Sequence, residues 1–150
     1  MQGSLLLWDP GCPANGHTSM VTQVQFSDDG AQVVSSGADN TVRMWDVASG
    51  TQTHQFFGGM FALVEGPSDL LEHTKIHHVL TAERDLLLIY AVTKEQSHTL
   101  ATAPMASSTA PVASFKAPNT ITSVLCHGAV ICVACEDGAV CMLSAPFLAP

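Results

Sequence analysis

Three groups of residues in this 150-residue chain have the types from which catalytic or metal sites are made. His17, Ser35 and Asp39 supply an imidazole, a hydroxyl and a carboxylate, the set that activates a serine for acyl transfer. The serine does not stand in a Gly-x-Ser-x-Gly turn, the strained corner that would expose such a nucleophile. Cys126, Cys132, Cys135 and Cys141 are separated by five, two and five residues, and a Cys-x-x-Cys pair is a zinc-type spacing. His73, His77 and His78 form the third group. On a helix His73 and His77 would share a face and could bind a metal.

The elements that carry these residues weigh against the sharper readings. Cys132 and Cys135 lie in VICVAC, a strand-like run in which a separation of three puts them on opposite faces. KIHHVLTA also reads as a strand, so His77 and His78 diverge. No metal and no cofactor are therefore expected. A metal-binding module or enzyme domain built on the Cys and His clusters stands as the alternative. Disulfides are not expected either, because five cysteines without a secretory signal suit a reducing compartment.

His17 to Asp46 packs three strand-like runs and two tight turns into one stretch. VTQVQF alternates apolar and polar residues, the period of a half-buried strand. Asp28-Asp29-Gly30 supplies a turn. A second run spans Gln32 to Ser36, Asp39-Asn40 turns the chain again, and β-branched and large apolar residues fill Thr41 to Val47. A fourth run, Gln52 to Phe57, follows Ser49-Gly50. Four short antiparallel strands make one sheet unit.

This stretch resembles a WD40 repeat. The family pattern places a His before the first strand, a Ser on the second, an Asp in the next turn and a Trp on the third. His17, Ser35, Asp39 and Trp45 occupy those positions at the family's spacing, and Trp45-Asp46 is the WD pair. The resemblance implies a structural relay, not a catalytic triad. Trp donates to Ser, Ser to His and His to the ionised Asp, so each buried polar group finds a partner. Positions that commonly line the top face of such propellers fall on Met20, Thr22 and Ala38.

Weaker copies of the unit occupy the rest of the chain. Third strands are expected at Trp8-Asp9, Trp45-Asp46, Tyr90-Ala91 and Leu143-Ser144, and repeats near 40 to 45 residues with four strands each signal a β-propeller. The later copies lose the relay: Arg84 takes the Asp position, Tyr90 the Trp position and Val133 the Ser position. Cys126 falls where the first copy has Phe26, which this reading takes as a core residue. The fold class is all-β, a partial propeller of about three four-stranded antiparallel WD40 blades plus an N-terminal strand remnant. Residues 1–9 are the remnant, 10–57 the complete repeat, and 58–100 and 119–144 the degenerate repeats. Residues 101–118 form an Ala/Pro/Ser/Thr-rich flexible insertion, and 145–150 a tail. Val112 to Lys116 is read as an outer strand, Met60 to Val64 as a strand, and Gly66-Pro67-Ser68 as a loop.

The chain is 47% hydrophobic and 12% charged, as suits strands buried on both faces between blades. No apolar run reaches the eighteen residues of a membrane span. The five basic residues, Arg43, Lys75, Arg84, Lys94 and Lys116, are scattered in a chain of net charge −8, which argues against nucleic acid and anionic membranes as partners. The expectation is a non-enzymatic protein–protein scaffold, cytoplasmic, that needs a partner or the rest of a propeller to close. The short count of blades reads as a short isoform or C-terminal part of a larger multi-WD40 protein. The large centriolar and ciliary WD40 proteins are the preferred parent type, with NACHT–WD40 proteins next.

Overall fold

The computed structural model describes residues 16–68, 75–93 and 110–146. The Trp8-Asp9 remnant, His73 and residues 101–109 of the expected insertion lie outside those residues. Among the described residues eleven strands form three antiparallel sheets, each built from consecutive strands. The first holds β1 (Val21–Phe26), β2 (Gln32–Gly37), β3 (Thr41–Asp46) and β4 (Gln52–Phe57). The second holds β5 (Met60–Ser68), β6 (Lys75–Glu83), β7 (Leu86–Thr93) and β8 (Ala113–Lys116). The third has three strands rather than four among the described residues: β9 (Ile121–His127), β10 (Val130–Cys135) and β11 (Val140–Ser144).

Short turns explain the meander. In the first hairpin Gly30 takes a positive φ, and the Asp29 carboxylate accepts from Ser27 Oγ and the Ala31 N–H. That is the local bonding that makes Asp-Gly a turn former. β5 runs on through Gly66-Pro67-Ser68, expected as a loop, with its register slipping between Glu65 and Ser68. Such a slip lets the strand pass Pro67, which has no N–H for the ladder.

The sheets share one register. Trp45 stands opposite Val33, Tyr90 opposite Val79, and Leu143 opposite Ile131. One residue along, the pairs are Val34 with Met44, Leu80 with Ile89, and Cys132 with Met142. Period-two alternation therefore gives every sheet two equivalent faces.

Two cores result. Val34, Val42, Met44 and Phe56 of the first sheet pack on Phe61, Val79, Tyr90 and Val92 of the second. On its other face the second sheet uses Leu80, Ala82, Leu87 and Ile89 against Ile121, Val124, Ile131 and Val133 of the third. Burying one side chain as completely as Leu80 or Leu87 contributes roughly 1.5–3 kcal/mol. The joint between the first two sheets is two residues long. Gly58, at φ 144°, lies so close to the second sheet that a β-carbon there would meet Thr81 Cβ at 2.9 Å. No larger residue fits without displacing that strand.

One expected core residue is not in the core. Phe26 is 59% exposed, and every residue of β1 is exposed. The alternation in VTQVQF is real, but its apolar side belongs to the outer face of the first sheet. Among the described residues no sheet packs on that face. Cys126, at the equivalent place in the third sheet, does pack against the second.

Candidate functional site

The residues singled out for chemistry meet at one end of the first sheet. His17 precedes β1, Ser35 lies on β2, Asp39 turns the chain into β3, and Trp45 lies on β3. Their side chains form one hydrogen-bonded line. The Trp45 indole N–H donates to Ser35 Oγ at 2.9 Å, and Ser35 Oγ lies 2.8 Å from His17 Nε2. His17 Nδ1 lies 3.0 and 3.1 Å from the two Asp39 oxygens. A neutral imidazole protonated at Nδ1 satisfies the line throughout: indole to hydroxyl, hydroxyl to Nε2, Nδ1–H to carboxylate.

Asp39 collects more donors than the spacing disclosed. The Thr18 N–H reaches it at 2.9 Å, the Thr41 hydroxyl at 2.8 Å and the Thr41 N–H at 3.2 Å. The Arg43 guanidinium stands 3.8 Å away and also donates to Gln52 Oε1 at 2.8 Å. Burial alone would raise the Asp39 pKa. The bonds from Thr18, His17 and Thr41 outweigh it and hold the carboxyl far below the usual carboxylate range. Gly37 closes the arrangement, because a β-carbon there would sit 2.6 Å from His17 Nδ1 and 2.7 Å from Asp39 Oδ1. Two signals in the sequence point to this outer shell. Thr41 follows Asp39 by two, as in an Asx turn, and Arg43 follows Thr41 by two, on the same strand face.

The order Asp–His–Ser is that of a hydrolase triad, yet the hydroxyl is shut in. Ser35 is 5% exposed and its oxygen already takes the Trp45 N–H. The line does mechanical work instead, tying the segment before β1 to β2, the following turn and β3.

The cysteine cluster is dispersed. Cys126, Cys135 and Cys141 join the core between the second and third sheets, while Cys132 stands in register between exposed Leu125 and Met142. Burial raises the pKa of the Cys126 and Cys135 thiols, which disfavours the thiolate needed to bind a metal. Among the described residues no three His, Cys, Asp or Glu side chains form a metal-binding group. Of the histidines in HxxxHH, His78 is buried on β6 and His73 lies outside the described residues.

Met20, Thr22 and Ala38 are exposed at the same end of the sheet as the relay. The Ala38 N–H donates to Met20 O at 2.8 Å, and Thr22 Oγ1 bonds Ser36. Backbone bonds fix the turns and joints along this end, and one of them, from Ile121 to Arg84, ties the third sheet to the second. The Gly58 N–H donates to Asn40 O, Gly59 to Ala82 O, Ile121 to Arg84 O, and Glu136 to Thr120 O. The charged side chains at this end away from Met20 are mixed in sign, Glu83, Asp85, Glu136 and Asp137 with Arg84 and Lys116, so acids outnumber bases by four to two.

A family profile described as "WD domain, G-beta repeat" matches residues 11–46. The mouse Transducin-like enhancer protein 2 is 31% identical over 102 residues, 59% of this chain and 13% of that protein. Protein Mut11 of Chlamydomonas reinhardtii is 45% identical over 40 residues, covering 27% of this chain and 11% of that protein. Among solved structures, the RRP9 WD40 repeats align with a TM-score of 0.59 at 13% identity, over 89% of this chain and 38% of that one. Dihydro-heme d1 dehydrogenase NirN aligns at 0.56 and 9% identity, over 88% of this chain and 27% of that one, so the fold also serves an enzyme. The chain thus spans a small part of the curated relatives it matches. Repeat, relay and stacked sheets agree: residues 11–46 match a WD40 repeat, and the described sheets have the fold of WD40 propeller blades.

Proposed function

We propose that the chain is a non-enzymatic interaction scaffold that binds another protein at the relay end of its blades. The observation that carries this is the pairing of a closed relay with an open surface beside it. The polar groups that could do chemistry are used up internally, while Met20 and Ala38 are presented to solvent on the loops that the relay fixes. An apolar anchor of this kind, with acidic side chains at its rim, suits a partner that brings an apolar residue flanked by Lys or Arg. The cytoplasm is the compartment that fits free thiols, and a place in a larger centriolar or ciliary assembly is part of the same reading.

Affinity capture compares the chain with a Met20→Asp/Ala38→Glu variant under identical conditions. The variant should lose specific partners that the native chain retains. Identical partner sets would refute the assignment of this end. A serine-directed fluorophosphonate should leave Ser35 unlabelled, and stoichiometric labelling would revive the hydrolase reading.

A further inference from the structure

Within the dispersed cysteines, two meet. Cys135 ends β10 and Cys141 lies early in β11, both on the face of the third sheet that packs against the second. Val133 pairs with Cys141, and the Cys135 N–H donates to Ala139 O at 2.8 Å, so the two cysteines are diagonal neighbours across one hairpin. The Cys135 thiol donates to the Cys141 sulfur, and the Asn119 N–H is directed at the Cys135 sulfur. Both thiols are free. The other described cysteines stand apart from this pair. Cys126 lies on β9 opposite Ile131 and bonds Gly128 O, and Cys132 is on the opposite face of β10.

We propose that hydrogen peroxide converts Cys135 and Cys141 into a reversible disulfide, a redox switch built into this hairpin. Cys141 is half-buried and Cys135 only 5% exposed, so Cys141 is the sulfur that peroxide reaches first. Its thiolate attacks one peroxide oxygen, the O–O bond breaks, and a sulfenic acid forms as hydroxide leaves with the thiol's proton as water. The Cys135 sulfur then attacks the Cys141 sulfur, its proton joins the departing hydroxyl, and a second water leaves. Two thiols are oxidised and one peroxide is reduced to two waters. Burial, with the bond to Cys141, raises the Cys135 pKa, and the Asn119 N–H opposes both. Contact outweighs that handicap, because aligned groups held together react at effective concentrations of about 10⁵ M or more.

The same geometry makes the bond reversible. Diagonal partners in a sheet stand about 7–8 Å apart, whereas a disulfide spans about 4.4–6.8 Å between Cα atoms. Closing the bond must draw β11 along the turn, and the register slip between Ala134 and Cys135 on the β9 side lets β10 follow. A disulfide formed under strain is one that glutathione reopens. The turn it pulls is tied to the relay end, where Glu136 N–H donates to Thr120 O and Ile121 N–H to Arg84 O. Oxidation therefore shifts the third sheet at the end assigned to partner binding. That consequence rests on the scaffold reading, while the disulfide itself does not.

The full chain is treated with hydrogen peroxide, remaining thiols are alkylated, and the chain is cleaved after Glu136, which parts the two cysteines. Mass spectrometry should find the two peptides still joined, with Cys135 and Cys141 as the linked sulfurs and both thiols restored by reduced glutathione. Cys141→Ser should leave Cys135 a free thiol, and Cys135→Ser should leave a sulfenic acid at Cys141 that dimedone traps. Circular dichroism selects the folded variants, and the pairing in the native chain needs no variant. Linkage of either sulfur to another cysteine, oxidation of Cys132 while Cys135 and Cys141 stay free, or a link that glutathione does not reopen would each overturn the proposal.

Discussion

Removing the Asp39 carboxyl takes the acceptor from the Thr18 and Thr41 N–H groups, the Thr41 hydroxyl and His17 Nδ1 together. Asp39→Ala should therefore destabilise by at least about 2 kcal/mol in thermal unfolding, since each buried orphan costs roughly 1–3 kcal/mol. Trp45→Phe keeps most of the ring and deletes one donor to Ser35, so a smaller loss of about 1 kcal/mol is expected. Acid should act on the same site. Below the ordinary carboxyl value of 3.8 the unfolded chain takes up a proton that folded Asp39 resists. Stability contributed by Asp39 is complete above that value and is lost as pH falls through the lower, folded pKa. Asp39→Asn should flatten that limb of the stability–pH curve, and an unchanged limb would remove Asp39 from the account.

Between the first two sheets, His54 is buried with neither ring nitrogen hydrogen-bonded among the described residues, and it stacks on Phe56 at 6.0 Å. Burial lowers its pKa from the ordinary 6.5, so the unfolded chain protonates first as pH falls. Its contribution is present above 6.5 and lost below it. His54→Phe should make the melting temperature less sensitive to pH as it falls below 6.5, whereas an unchanged slope would place the effect elsewhere. Met44→Ala, in the same layer, should cost about 2–5 kcal/mol by opening a cavity. Strand order and the relay were legible because alternation, Asp-Gly turns and the His–Ser–Asp–Trp spacing are local features of the chain. The position of Phe26 was not. Periodicity says which residues share a face and is silent on whether another sheet covers it. Pro67 misled for a related reason, since proline signals a break while a register slip lets a strand continue past it.

At the scale of the molecule, thirteen acidic and five basic side chains leave the chain strongly negative at neutral pH, with a pI near 5.1. Light scattering should rise as pH approaches that value, because self-repulsion vanishes while the bare faces of the first and third sheets remain. Clear solutions across that range would mean that those faces are already covered. The order of strands has a further consequence, for synthesis on the ribosome. The first sheet is complete once Phe57 has emerged, because its four strands are consecutive and joined by tight turns. The second cannot finish so promptly. β7 ends at Thr93 and its partner β8 begins at Ala113, so three strands must wait while residues 94–112 are made. Closing that longer loop costs only about 1.5 kcal/mol more than closing a tight turn. The delay is one of time: at about 5–20 residues per second the edge of β7 stays unpaired for one to a few seconds. In that interval the nascent chain offers a growing, unfinished sheet to whatever attends the exit tunnel.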